Sequence, residues 1–283
     1  MNLTTLTQRE IGSPSDLITL SDMFEEMAVS GSSLLFRGQP SDYGNLQPTL
    51  ARKVDGAPHG AVSILESQLL KSFRTHYANL PALPGDMPPA GHVHAASDVE
   101  VMSLMQHYEV PSRLLDWTQS IWVAAYFACA SNSGKPGELW VMDETLLEVD
   151  PTGMPVEKIR DAVSKSVSSR PGDYHPSWGM PFLVVIEPIV NSRLQAQRGK
   201  LTASDYATYD HAQILWKLAT KRTGGDHPGS SFGRYIFRPE RKGDILRFLD
   251  TQKGVSARTL FPDIVGLGRF LGAEFEALRS QLL

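Results

Sequence analysis

The sequence predicts an α+β protein, with a small central mixed sheet surrounded by helices in a single main domain. Three observations point there. Short apolar runs at residues 32–36, 137–143 and 181–187 (PFLVVIE) suit interior strands. Longer stretches around them carry apolar residues at helical spacing, with no internal repeat. The chain of 283 residues is 41% hydrophobic, enough to bury a substantial core and to exclude disorder as its dominant state.

Residues 17–29 read as a short helix, with Met23, Phe24 and Met27 spaced for one face and Gly31 just past the end. We assign residues 1–30 to an N-terminal helical extension and 31–283 to the main domain with a basic C-terminal helical part. The strand at 32–36 ends at Arg37-Gly38, and residues 41–59 are rich in turn formers. Leu65, Leu69, Phe73 and Tyr77 form one apolar stripe of a second helix. Four prolines within 81–91 predict a loop or lid. Ser97 with Glu100 forms a capping box, starting a helix from Asp98 to His107 that Pro111 stops. Thr118 or Ser120 caps the next helix, which is apolar nearly all round and is expected to be central and buried. A polar helix at 156–167 and a Pro/Gly-rich loop at 171–181 separate two strands. A mixed helical pattern at 206–218, a last strand at 235–237 and amphipathic helices at 242–252 and 263–282 follow.

Composition narrows the function classes. No run approaches the ~18 apolar residues of a membrane span. No membrane partner is therefore expected, and because the start MNLTTLTQRE lacks a basic and an apolar leader region, no secretory signal is expected either. A single cysteine, Cys129, excludes an intrachain disulfide and a Cys-based zinc cage, and the expected location is a reducing cytoplasm. No metal site is assigned. Residues 1–192 carry 12 Lys and Arg against 22 Asp and Glu, whereas residues 193–283 carry 15 against 9. The basic part either meets a phosphate-rich partner, including nucleic acid, or docks on the acidic remainder. Phosphate-loop, zincin, nucleophile-elbow and dinucleotide-fingerprint motifs are absent.

Three polar clusters remain. Phe36-Arg37-Gly38-Gln39 aims a guanidinium past a strand end, with a glycine free to take positive φ. Arg37 reads either as a fork for phosphate or carboxylate or as an ion-pair partner of Asp116. The densest cluster runs from Gln106, His107 and Tyr108 through Arg113 to Asp116, Trp117 and Thr118. Its rings offer flat faces to a base, Asp116 suits ribose hydroxyls or a cation, and a following helix start suits an anion. Asp116 and Thr118 as caps, Trp117 as core and His107 as a helix-end residue are the structural alternatives. The third cluster, Asn191 to Gly199, emerges after a strand, and Gln197 within it donates and accepts.

These residues resemble the FRG domain. The resemblance rests on Phe36-Arg37-Gly38-Gln39, Leu46-x-Pro48-x-Leu50, Glu66, and Gln106-His107-Tyr108 through Pro111-x-Arg113-Leu114-Leu115-Asp116-Trp117-Thr118. It extends over Ala124-x-Tyr126-Phe127-Ala128, the Asn191–Gly199 cluster and Leu260-Phe261-Pro262-Asp263, spanning about residues 30–270. It implies a bacterial or phage domain without a settled activity. The motif order is also similar to ADP-ribosyltransferases, which hold NAD between an early-strand arginine, a middle hydroxyl or aromatic motif and a late Gln/Glu-x-Glu turn. Here position 199 is glycine where that pattern has glutamate, so Asp116 or Glu187 would substitute. The similarity implies an NAD-handling toxin or phage-defence effector, ADP-ribosyltransferase-like or glycohydrolase-like, with NAD as substrate and no cofactor required. Arg37 and Asp116 are its expected catalytic residues. Gln39, Gln106, His107, Tyr108, Arg113, Trp117, Thr118 and Gln197 are its expected substrate-binding residues. The alternative is a non-enzymatic module that recognises a small polar ligand, nucleotide, nucleic acid or protein.

Overall fold

Strand β2 (Leu34–Gln39) is the axis of the molecule, paired antiparallel along its length with β4 (Gly137–Asp143). The computed structural model describes residues 6, 8–80, 87–148, 163, 181–186, 192–225, 227–262 and 271. Among these, β1 (Gln8–Ile11), β3 (Leu114–Thr118), β5 (Leu183–Ile186), β6 (Gly199–Ser204) and β7 (Phe232–Phe237) complete a seven-stranded sheet. Its order is β1-β7-β4-β2-β3-β6-β5, and it is mixed because β1 runs parallel to β7 while the other pairs are antiparallel.

Successive strand residues face opposite sides, and each side has its own helices. On one side, Leu35, Leu115, Trp117, Trp140 and Phe232 pack with α8 (His211–Thr223). On the other, Phe36, Leu139, Val141 and Phe237 pack with α1 (Pro14–Val29), α6 (Ile121–Cys129) and α9 (Lys242–Lys253). Farther along that second side, Leu114, Val184, Leu201 and Ala203 pack with α3 (His59–Ala78), α4 (Ala90–Ala95) and α5 (Asp98–His107). Three short helices remain: α2 (Thr49–Lys53), α7 (Ser192–Gln197) and α10 (Ala257–Leu260).

Local chemistry sets the helix ends. The Ser97–Glu100 capping box opens α5, Ser120 caps α6, and Gly254 ends α9 in the left-handed conformation. Helix α6 lies flush on the sheet because glycines stand beneath it. A Cβ on Gly38 would come within 1.9 Å of the Ala124 carbonyl oxygen, and one on Gly137 within 2.2 Å of the Ala128 carbonyl oxygen. Gly38 is absent from the glycines with positive φ, so close backbone approach, and not a left-handed turn, explains it.

Other expectations also change. Residues 114–118, read as a helix approach, are strand β3 with Asp116 and Thr118 inside it. Strands β1 and β6 were not expected, and α4 begins within the proline-rich 81–91 segment. The N-terminal segment places β1 in the same sheet and Leu17, Leu20 and Phe24 of α1 in its core. The expected helices at 156–167 and 263–282, apart from residues 163 and 271, most of the loop at 171–181, Asn191 and Glu187 lie outside the described residues. Among the described residues, no helix is long and apolar enough to cross a membrane.

Candidate functional site

Strands β2 and β3 share a single paired position, Phe36 opposite Thr118. Arg37 occupies the break that follows. Its Nη1 donates to the main-chain carbonyl of Asp116 at 2.7 Å, while the Asp116 carboxylate stands 3.8 Å away. Burial lowers the Arg37 pKa to about 10, partly offset by the Asp116 charge, so the guanidinium stays cationic at neutral pH. Its buried Nε has no hydrogen-bond partner among the described residues.

This break opens into a cleft of about 230 Å³ between the two helical groups on that side of the sheet. Phe36, Asp116, Thr118 and Leu201 come from the strands, Ser103, Gln106 and His107 from α5, and Phe127 from α6. Helix α7 supplies Arg193, Leu194 and Gln197. Thr118 Oγ1 donates to the Gln197 carbonyl at 2.7 Å, and Gln197 Nε2 donates to the Leu260 carbonyl at 3.1 Å. The Arg193 guanidinium lies 4.5 Å from the centre of the Phe261 ring. These contacts join α7 to β3 and α10 as one wall of the cleft.

Asp116 is the most available charge there, its side chain 62% exposed. Gln106 Nε2 donates to its Oδ1 at 2.6 Å, and Ser112 Oγ donates to Gln106 Oε1 at 2.5 Å. Gln106 therefore orients a carboxylate, with both ends of its amide engaged. The cleft combines an oriented carboxylate, a desolvated guanidinium and an apolar wall of Phe36, Phe127 and Leu194. That set suits a ligand with hydroxyl donors, an acceptor or anion, and a flat or apolar part.

Seven of the ten sequence-derived candidates line this cleft: Arg37, Gln106, His107, Asp116, Trp117, Thr118 and Gln197. The Trp117 indole is nonetheless buried, its Nε1 donating to Thr202 Oγ1 at 2.9 Å, so its faces are not offered for stacking. Gln39, Tyr108 and Arg113 are not among the lining residues. Gln39 is buried, donating to Glu138 Oε2 at 2.8 Å and to the Asn45 carbonyl at 2.9 Å. Tyr108 stands at the surface, edge-on to His107 at 4.8 Å. Arg113 is fully buried, its Nε shared between the two Glu66 carboxylate oxygens at 2.9 Å, its Nη2 donating to Glu66 Oε2, and its Nη1 donating to the carbonyls of Ser204 and Asp205. An arginine held in this way is a cross-link between α3, β3 and the end of β6 and has no face for a ligand. Sequence reasoning missed Ser103, Ser112 and Leu201, short or apolar side chains whose role depends on what packs opposite.

Many of the C-terminal basic side chains are engaged within the chain. Arg222 pairs with Asp143, Arg238 with Glu10, and Arg241 and Arg247 with Asp244. Lys242 is buried, its Nζ donating to the carbonyls of Pro40, Ser131 and Asn132. Among the described residues, no group of three His, Cys, Asp or Glu side chains is placed to hold a metal.

The fold and cleft define a mixed α/β protein with a polar hollow at a break in its sheet. Residues 32–136, from just before β2 to just before β4, match the family model of the FRG domain. The match includes Arg37 and the whole Gln106–Thr118 cluster, while α7 and Gln197 lie beyond it. No curated protein and no solved structure matches the chain.

Proposed function

We propose that the cleft binds the nicotinamide–ribose end of NAD and promotes cleavage of the bond between them. The observation that carries this reading is the oriented, solvent-facing Asp116 carboxylate beside the desolvated Arg37 guanidinium. Breaking the glycosidic bond leaves positive charge on the ribosyl ring, and a fixed carboxylate stabilises charge that develops there. Asp116 Oδ2 receives hydrogen bonds from ribose hydroxyls, and the Arg37 guanidinium supplies fixed positive charge beside it for a phosphate or carboxamide oxygen. Phe36, Phe127 and Leu194 cover the departing ring. Water, or an acceptor group in a transferase, adds to the anomeric carbon and loses its proton, while nicotinamide leaves with the bonding electrons.

Two further observations support this reading. Arg37, the Asp116–Thr118 segment and the turn after Gln197 lie on the neighbouring strands β2, β3 and β6, in the order of the ADP-ribosyltransferase motifs. A volume of about 230 Å³ is below the ~300–1,000 Å³ of most small-molecule pockets, which suits one end of a dinucleotide and not the whole. An activity of this kind depletes or transfers NAD, consistent with a toxin or phage-defence effector. The alternative, a non-enzymatic nucleic-acid module, draws on the basic C-terminal part. Its ion pairs leave that surface less free than its charge count implies.

The test is nicotinamide release from NAD by purified protein, with and without cell extract. Release that falls about 10²-fold or more in Asp116→Asn is expected, as for loss of one preorganised electrostatic group. No release from the wild type under either condition overturns the reading. RNA or DNA binding that falls steeply with salt, without release, moves the assignment to the recognition module.

A further inference from the structure

We infer that Ser112 is a positioning residue of this cleft, setting which way the Gln106 amide points and thereby holding Asp116 as a hydrogen-bond acceptor. The inference deepens the proposed reading and rests on it only for the identity of the ligand. The polarity of the relay starts at the backbone. The Leu114 N–H, at the first residue of β3, donates to Ser112 Oγ at 3.2 Å. A backbone amide can only donate, so Ser112 Oγ must accept there, and its own hydrogen is left to point elsewhere. It goes to Gln106 Oε1, 2.5 Å away. With Oε1 engaged, the other end of the amide faces Asp116, and Nε2 donates to Oδ1 at 2.6 Å.

A carboxamide has two orientations of nearly identical shape. Turned over, Gln106 would set its carbonyl oxygen against Asp116 Oδ1, two acceptors in contact with no hydrogen between them. Ser112 removes that option, and it is almost completely buried, so water does not compete for its hydroxyl. Asp116 is thus supplied with a donor on Oδ1 and presents Oδ2 to the cleft. The consequence is a selection rule. A ligand must bring hydrogen-bond donors to that point, as the vicinal hydroxyls of a ribosyl group do. A ligand that brings a carboxylate or phosphate there meets like charge.

Two variants and two readouts test this. In 15N-resolved NMR spectra, the Gln106 side-chain amide should carry a hydrogen-bonded signature in the wild type. That signature should be lost in Ser112→Ala and in Asp116→Ala, which has no side-chain acceptor, and kept in Ser112→Thr, which retains the γ-hydroxyl. In the nicotinamide-release assay, Ser112→Ala should lower kcat by about 10²-fold, the scale of a small misplacement at a reacting centre, with KM little changed. Ser112→Thr should restore kcat. An identical Gln106 amide signal in Ser112→Ala and wild type overturns the inference, as does a Ser112→Thr protein that folds yet behaves like Ser112→Ala. Absence of release from the wild type with the amide pattern as expected overturns the NAD reading and supports the relay.

Discussion

Arg37 reaches across the break between β2 and β3 to the backbone of Asp116, Nη1 to carbonyl oxygen at 2.7 Å, while the Asp116 side chain turns toward solvent. A core staple of Arg37 and Asp116 would bury both charges. Here only the arginine is covered, and its Nε remains a spare donor. Arg37→Ala should therefore fold, at a cost of about 1.5–3 kcal/mol for one charged hydrogen bond, and lose NAD-dependent activity. Chemical denaturation read beside nicotinamide release checks this, and wholesale unfolding would return Arg37 to a purely structural role.

Gly38 makes the opposite prediction, although it is the next residue. Its space is filled by the backbone of α6, with the Ala124 carbonyl oxygen and the Ala128 nitrogen both inside the reach of a Cβ. Gly38→Ala has to push α6 off the sheet. We expect a loss of about 1–3 kcal/mol or more, the range for overpacking, measured as a shift of the urea midpoint.

Arg113 and Glu66 form a buried pair that ties α3 to β3. Removing one partner strands the other charge in the core, so Arg113→Met and Glu66→Leu should each cost about 3–5 kcal/mol. The double variant should recover much of that loss, because two apolar side chains strand no charge. A double-mutant cycle by equilibrium denaturation measures the coupling, and additive losses would contradict the pairing.

Asp205 gives a pH signature. Its Oδ1 accepts from the Phe182 N–H, its Oδ2 is buried without a partner, and burial raises its pKa from 3.8 to about 6. The folded state holds this proton more tightly than the unfolded chain does. The resulting stabilisation is complete below pH 3.8 and is lost as pH rises through 6. His211 has the opposite sign: burial lowers its pKa from 6.5 to about 3, so stability present above pH 6.5 is lost as pH falls toward 3. Denaturation of wild type and Asp205→Asn from pH 4 to 8 separates the two. Relative to the variant, the wild type should gain on the order of 3 kcal/mol on going from pH 7.5 to 4.

Much of the fold was legible where the signal is local. The Ser97–Glu100 box located α5, and the apolar run at 137–143 coincides with β4. Strand β3 was not legible, since it is buried on both sides except at Asp116 and shows no clear alternation before an equally apolar helix. Strand β1 is a four-residue edge strand with charged residues, and its partner β7 lies more than 200 residues away.

The amino-acid sequence by itself determined the inventory of the site: an arginine after a strand, a dense polar cluster before an apolar helix, and a Gln-bearing turn. Helix caps, spacing and residue chemistry are properties of neighbouring residues and need no fold to be read. Only the tertiary structure decided between the arginines. Arg37 met a backbone carbonyl and an open cleft, whereas Arg113 met Glu66, 47 residues earlier in the chain, and was sealed beside it. The physical reason is that the role of a charge is set by what neutralises it, and that partner is chosen by long-range packing.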